Sequence, residues 1–82
     1  MTAGTEGLDA AVQEWRGETL KALRDASNEG DALVVRELGR ALNALRVVSD
    51  WDTLEGITDR VQRLHDCLWS QVARRVDDRS LL

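Results

Sequence analysis

Leu54-Glu55-Gly56-Ile57-Thr58-Asp59-Arg60-Val61-Gln62-Arg63-Leu64-His65-Asp66-Cys67-Leu68-Trp69-Ser70-Gln71-Val72-Ala73-Arg74-Arg75-Val76 decides the fold of this chain. Its apolar residues Leu54, Ile57, Val61, Leu64, Leu68, Val72 and Val76 recur at steps of three and four. A helix of about 3.6 residues per turn carries such residues along one face, and an apolar face has to be covered. The spacing predicts a helix over about 52–77 that packs on other helices. At about 1.5 Å of rise per residue it runs to ~37 Å, roughly a turn longer than its neighbours need.

Two shorter stripes precede it. Leu8, Ala11, Val12, Trp15, Thr19, Ala22, Leu23 and Ala26, with Leu20 on the flank, predict a first helix over about 5–27. Thr5 is the expected cap, with Glu6 and Asp9 placing negative charge in the positive first turn; residues 1–4 are expected to be a loose tail. Gly17 falls inside this helix, either to admit a close neighbour or because it is tolerated. Val34, Leu38, Ala41, Leu45 and Val48, widened by Val35 and Leu42, predict a second helix over about 31–48.

The breaks between stripes carry capping chemistry. In Ser27-Asn28-Glu29-Gly30-Asp31, Asn28 and Gly30 can adopt the left-handed conformation that ends a helix, and Asp31 can cap the next. Ser49-Asp50-Trp51-Asp52 holds neither Gly nor Pro. There Asp52 with Glu55 resembles a capping box, with Asp50 and Ser49 as rival caps. Trp51 is placed to plug the bundle end, and residues 78–82 are expected to be a tail. Short links make successive helices antiparallel neighbours. The expected fold is therefore all-α: a three-helix up-down-up antiparallel bundle, third helix longest, completing a larger bundle by dimerisation. A helical hairpin whose third helix completes a four- or six-helix dimer is the competing arrangement.

Composition narrows the function classes. At 82 residues the chain forms one domain, and a domain this small needs good helix packing, self-association, disulfides or a metal. One cysteine, Cys67, allows no internal disulfide, and one histidine, His65, allows no Cys/His zinc set. The absence of proline suits nearly continuous helix. A net charge of −4 does not attract phosphate backbones. No apolar run approaches the ~20 residues of a membrane span, and residues 1–6 lack a signal-peptide pattern. The expected location is cytoplasmic and the expected origin bacterial or phage; the Arg-to-Lys ratio of ten to one suits a GC-rich genome.

No catalytic residue, cofactor or metal ligand is expected. His65, Asp66 and Cys67 are consecutive, so on a helix their side chains diverge by about 100° each. Glu14 with Glu18, and Glu55 with Asp59, share polar faces but lack the Glu-x-x-His of a carboxylate metal site. Asp31-Ala32-Leu33 stands where acyl carrier proteins place Asp-Ser-Leu, but Ala32 has no hydroxyl to carry a prosthetic arm.

Trp69 is off the main stripe and is the side chain type most typical of interface anchors. The expected function is non-enzymatic: an adaptor, assembly or regulatory module that docks a protein partner, or a second copy of itself as a homodimer. The expected contact residues are Trp69, Gln62, Arg63, Asp66, Val72 and Val76. The alternative is a small nucleic-acid-associated, antitoxin-like regulator using Arg36, Arg40, Arg60 and Arg63 on phosphates. Neither a membrane nor a small-molecule substrate is implied.

Overall fold

A computed structural model describes residues 7–80, with the side chains of residues 7–76. Among these residues the fold is all-α, with α1 Leu8–Asn28, α2 Ala32–Leu45 and α3 Trp51–Ser80. The residues buried in it are the stripe residues. Leu8, Thr19, Ala22 and Ala26 come from α1; Val34, Leu38, Ala41 and Leu45 from α2; Leu54, Val61 and Leu68 from α3. All three helices touch, α1 with α2 most extensively and α1 with α3 least.

The core divides into two clusters. Leu8, Leu45 and Leu54 meet in one, which joins the start of α1, the end of α2 and the start of α3. Ala22, Ala26, Val34, Leu38, Ala41, Val61 and Leu68 form the other, with Trp15, Leu23, Val35, Ile57 and Leu64 packed against it. Thr19 is the one buried polar side chain among the described residues; its hydroxyl donates to the Trp15 carbonyl at 2.7 Å. That bond satisfies the hydroxyl, so a threonine sits in an apolar seam without an orphaned donor.

The first connection follows the capping chemistry. Gly30 has φ 73°, its N–H donates to the Ser27 carbonyl at 3.1 Å, and the Asp31 N–H donates to the Ala26 carbonyl at 3.1 Å. This bond pair closes α1 with a left-handed residue that glycine adopts without strain. Asp31 then opens α2, its carboxylate accepting from the Val34 N–H at 3.2 Å. One residue thus ends one helix and starts the next, which holds the connection to three residues, 29–31.

The helix ends differ from the expected ones, most at the end of α2 and the end of α3. Gly7, at φ 82°, precedes α1, and among the described residues no side chain caps it; Thr5 and the tail 1–4 lie outside the described residues. α2 ends at Leu45 rather than Val48, because Arg46 and Val47 donate three residues back, to Asn43 and Ala44, at 3.2 Å each. This tighter winding closes the helix without Gly or Pro. Val48 nevertheless packs on the cluster of Leu8, Leu45 and Leu54. α3 runs through Ser80, so residues 78–80 are helix rather than tail, and Leu81 and Leu82 lie outside the described residues.

Asp50, not Asp52, caps α3. Its carboxylate accepts from the Thr53 N–H at 2.7 Å and the Thr53 hydroxyl at 2.9 Å, and its carbonyl accepts from Leu54 at 3.2 Å. Trp51 is thereby the first helical residue and stands 42% exposed, so it does not plug the bundle end. The Thr53 amide, then the Thr53 hydroxyl, hold the Asp50 carboxyl below the ordinary aspartate value of 3.8. A depressed folded-state value contributes stability that is present above pH 3.8 and lost as pH falls through the folded value. Thermal melts of wild type and Asp50→Ala across pH are therefore expected to show a gap that is constant at neutral pH and narrows below that window. A gap independent of pH would contradict the charged cap.

Candidate functional site

The outer flank of α3 holds the residues singled out for docking. Trp69 is 43% exposed and Val76 56% exposed, while Val72 is half-buried. Gln62 and Asp66 are exposed, and their spacing of seven and three from Trp69 puts them on its side of the helix. Arg63 is exposed too, but it pairs with Asp59 at 3.0 Å. Six residues from Trp69, it lies about 120° round the helix, on a different face.

His65 is the neighbour that the residue pattern did not bring forward. The Trp69 indole N–H donates to His65 Nε2 at 2.9 Å, and the two rings meet edge-on with centroids 6.0 Å apart at 64°. An indole only donates, so Nε2 must present its lone pair. The bond ties the largest exposed ring of the arm to a half-buried residue one turn earlier. The spacing of four was the available signal. With it, His65, Trp69, Val72 and Val76 form a second stripe, stepping four, three, four beside the core stripe. Leu68 is the last fully buried residue of α3 among the described side chains, and the helix continues twelve residues past it, to Ser80. That is about 18 Å of helix.

The remaining polar groups do not converge. His65 bonds Trp69, whereas the exposed Cys67 thiol accepts from Gln71 Nε2 at 3.5 Å, so the two are on separate faces. A concavity of about 650 Å³ lies between α1 and α3 and is lined by Trp15, Asp52, Glu55, Gly56, Thr58, Asp59 and Gln62. It is a wide groove whose acids, Asp52, Glu55 and Asp59, come from one helix face, and the Thr58 hydroxyl donates to the Glu55 carbonyl at 3.0 Å. Among the described residues no three His, Cys, Asp or Glu side chains are grouped to hold a metal ion. Among them also, no helix is long and apolar enough to cross a membrane.

Arg36, Arg40, Arg60 and Arg63 are positioned along α2 and α3. Arg40 and Arg60 line one concavity between the two helices, and Arg60 and Arg63 line another along α3. Glu37 pairs with Arg40 at 3.6 Å and Asp59 with Arg63, so two of the four cations already face a carboxylate. Compared with protein-family models, curated proteins and solved structures, the chain matches none.

Proposed function

We propose that this chain is a helical interaction module: three helices in up-down-up order that present the outer flank of α3, centred on Trp69, to a protein partner. The simplest partner is a second copy, because a symmetric dimer needs only one self-complementary patch. The observation that carries this function is the arm beyond Leu68, with Trp69 and Val76 exposed and aligned. A short domain has little to gain from extending an amphipathic helix past its own core unless that face meets something else. The two core clusters, which join alternate helix ends, support the up-down-up order. Val72 and Val76 extend the apolar contact, while Gln62 and Asp66 rim it; Arg63 belongs to the adjoining face.

Trp69→Ala tests the site. Truncating an interface anchor costs about 2 kcal/mol or more, so the association constant is expected to fall about 30-fold. The helical signal is expected to stay unchanged, since Trp69 is outside both core clusters. An association constant equal to wild type would remove Trp69 from the site.

A further inference from the structure

We propose that the concavity between α2 and α3 around Gly56 binds a phosphate monoester group, gripped by Arg40 from one helix and Arg60 from the other. Arg60 stands nine residues from Trp69, about 180° round α3, so this site is separate from the Trp69 flank and independent of what docks there.

The concavity follows from residue size. Arg40, Ala41 and Ala44 share one turn of α2, and Gly56, Ile57 and Arg60 share one turn of α3. Together they line a space of about 320 Å³ between the two helices. Ala41, Ala44 and Gly56 have little or no side chain, so a ligand can come close to the helix backbones there. At Gly56 even an added Cβ would meet nothing within 4 Å. Ile57 packs against both core clusters, which fixes the apolar wall it makes. The volume is at the lower end of the range for small-molecule sites and holds a phosphate with few atoms attached.

Charge selects the ligand. The chain carries a net −4, yet no carboxylate lines this space, whereas Asp52, Glu55 and Asp59 line the groove between α1 and α3. Arg60 is exposed and makes no ion pair among the described residues. Arg40 meets Glu37 through one contact of 3.6 Å, too long for a hydrogen bond, and its side chain is 67% exposed. Both guanidinium groups therefore keep donors to offer. A carboxylate has two oxygens, which one guanidinium fork fills. A phosphate monoester has three terminal oxygens and nearly two negative charges, which match forks from two sides. Carboxylates bound this cationic spot. Thr53, which also lines it, donates its hydroxyl to Asp50 at 2.9 Å; Glu37 stands beside Arg40; Asp59 lines the adjoining depression that Arg60 shares. A compact phosphate avoids them, whereas a nucleic-acid backbone, with its charges in a row, would run past them.

The test is a nuclear magnetic resonance titration of the full chain at low salt, reading the arginine Nε–H signals. The probes are inorganic phosphate, glycerol phosphate, a phosphoserine peptide and a nonspecific DNA duplex, with chloride at equal ionic strength as the blank. Inorganic phosphate and glycerol phosphate are expected to shift Arg40 and Arg60 saturably, with a Kd of about 1 mM. R40Q/R60Q is expected to weaken binding at least about tenfold. Gly56→Leu, which fills the floor and keeps both charges, is expected to weaken it as much. R74Q/R75Q removes the same charge from exposed positions outside the concavity and is expected to bind as wild type does. Circular dichroism of each variant confirms that it folds. A phosphoserine peptide that binds more tightly than glycerol phosphate, with the same two signals shifted, assigns the phosphate to a phosphorylated chain; equal or weaker binding assigns it to a small molecule. The site is overturned if Arg40 and Arg60 show no saturable shift up to about 20 mM phosphate, or if R74Q/R75Q weakens binding as much as R40Q/R60Q. Unchanged binding in folded Gly56→Leu overturns its placement in the concavity. A duplex that binds more tightly than glycerol phosphate overturns the compact ligand in favour of a nucleic-acid backbone.

Discussion

Leu38→Ala is expected to lower stability by about 3 kcal/mol, the largest loss from any single substitution considered for this chain. Leu38 is 0% exposed and belongs to the larger core cluster, where α1, α2 and α3 all contribute. Removing three buried carbons loses their transfer free energy and leaves a cavity, which together cost about 2–5 kcal/mol for leucine. A chain of this length has a total stability of about 4–12 kcal/mol, so the loss is a large fraction of it. The midpoint of thermal unfolding is expected to fall by about 10–20 °C at fixed protein concentration. By contrast Leu33→Ala, at 60% exposure, is expected to change the midpoint little. Equal effects at the two positions would contradict the assignment of the core.

Replacing Gly17, Gly39 and Gly56 together by alanine is expected to raise stability by about 2–3 kcal/mol. Each lies inside a different helix, and a Cβ built at each meets nothing within 4 Å. Alanine is favoured over glycine in a helix interior by about 1 kcal/mol, chiefly because glycine has more backbone freedom to lose. With one site per helix and no shared neighbours, the gains should add. Gly30 is the contrasting control: its Cβ space is also open, but φ 73° penalises any side chain by roughly 1–2 kcal/mol. Differential melts of the triple variant and of Gly30→Ala are therefore expected to move in opposite directions. A triple variant that melts lower than wild type would show that one of these glycines admits a close neighbour.

The core was legible in the sequence because burial in a helical protein follows spacing. Among the described residues every buried side chain, from Leu8 to Leu68, stands on one of the three stripes, and even the polar Thr19 falls in register. Asp31 was legible as a cap for the same local reason: a short acceptor beside a glycine, just before a helical run. The ends of α2 and α3 were less so. Arg46 and Val47 close α2 by backbone winding alone, which no residue type marks. At the next start, Asp50 and Asp52 are chemically equal, and Thr53 decides between them by adding a second hydrogen bond to Asp50.

The candidate site was legible in part. Trp69 stood off the stripe and is exposed, but its bond to His65 depends on side-chain rotamers, which periodicity does not encode. Arg63, among the expected contact residues, is turned by the helix to another face, where it pairs with Asp59. The position of Trp51 in a break suggests a plug. Its place as the first residue of α3 turns it outward instead.

We propose the flank of α3 as a docking surface that a second copy of the chain covers. Light scattering after size exclusion, over a concentration series of the full chain, tests it most directly. A mass that rises with concentration toward twice 9.2 kDa is the predicted result. A mass that stays at 9.2 kDa up to about 1 mM would contradict it.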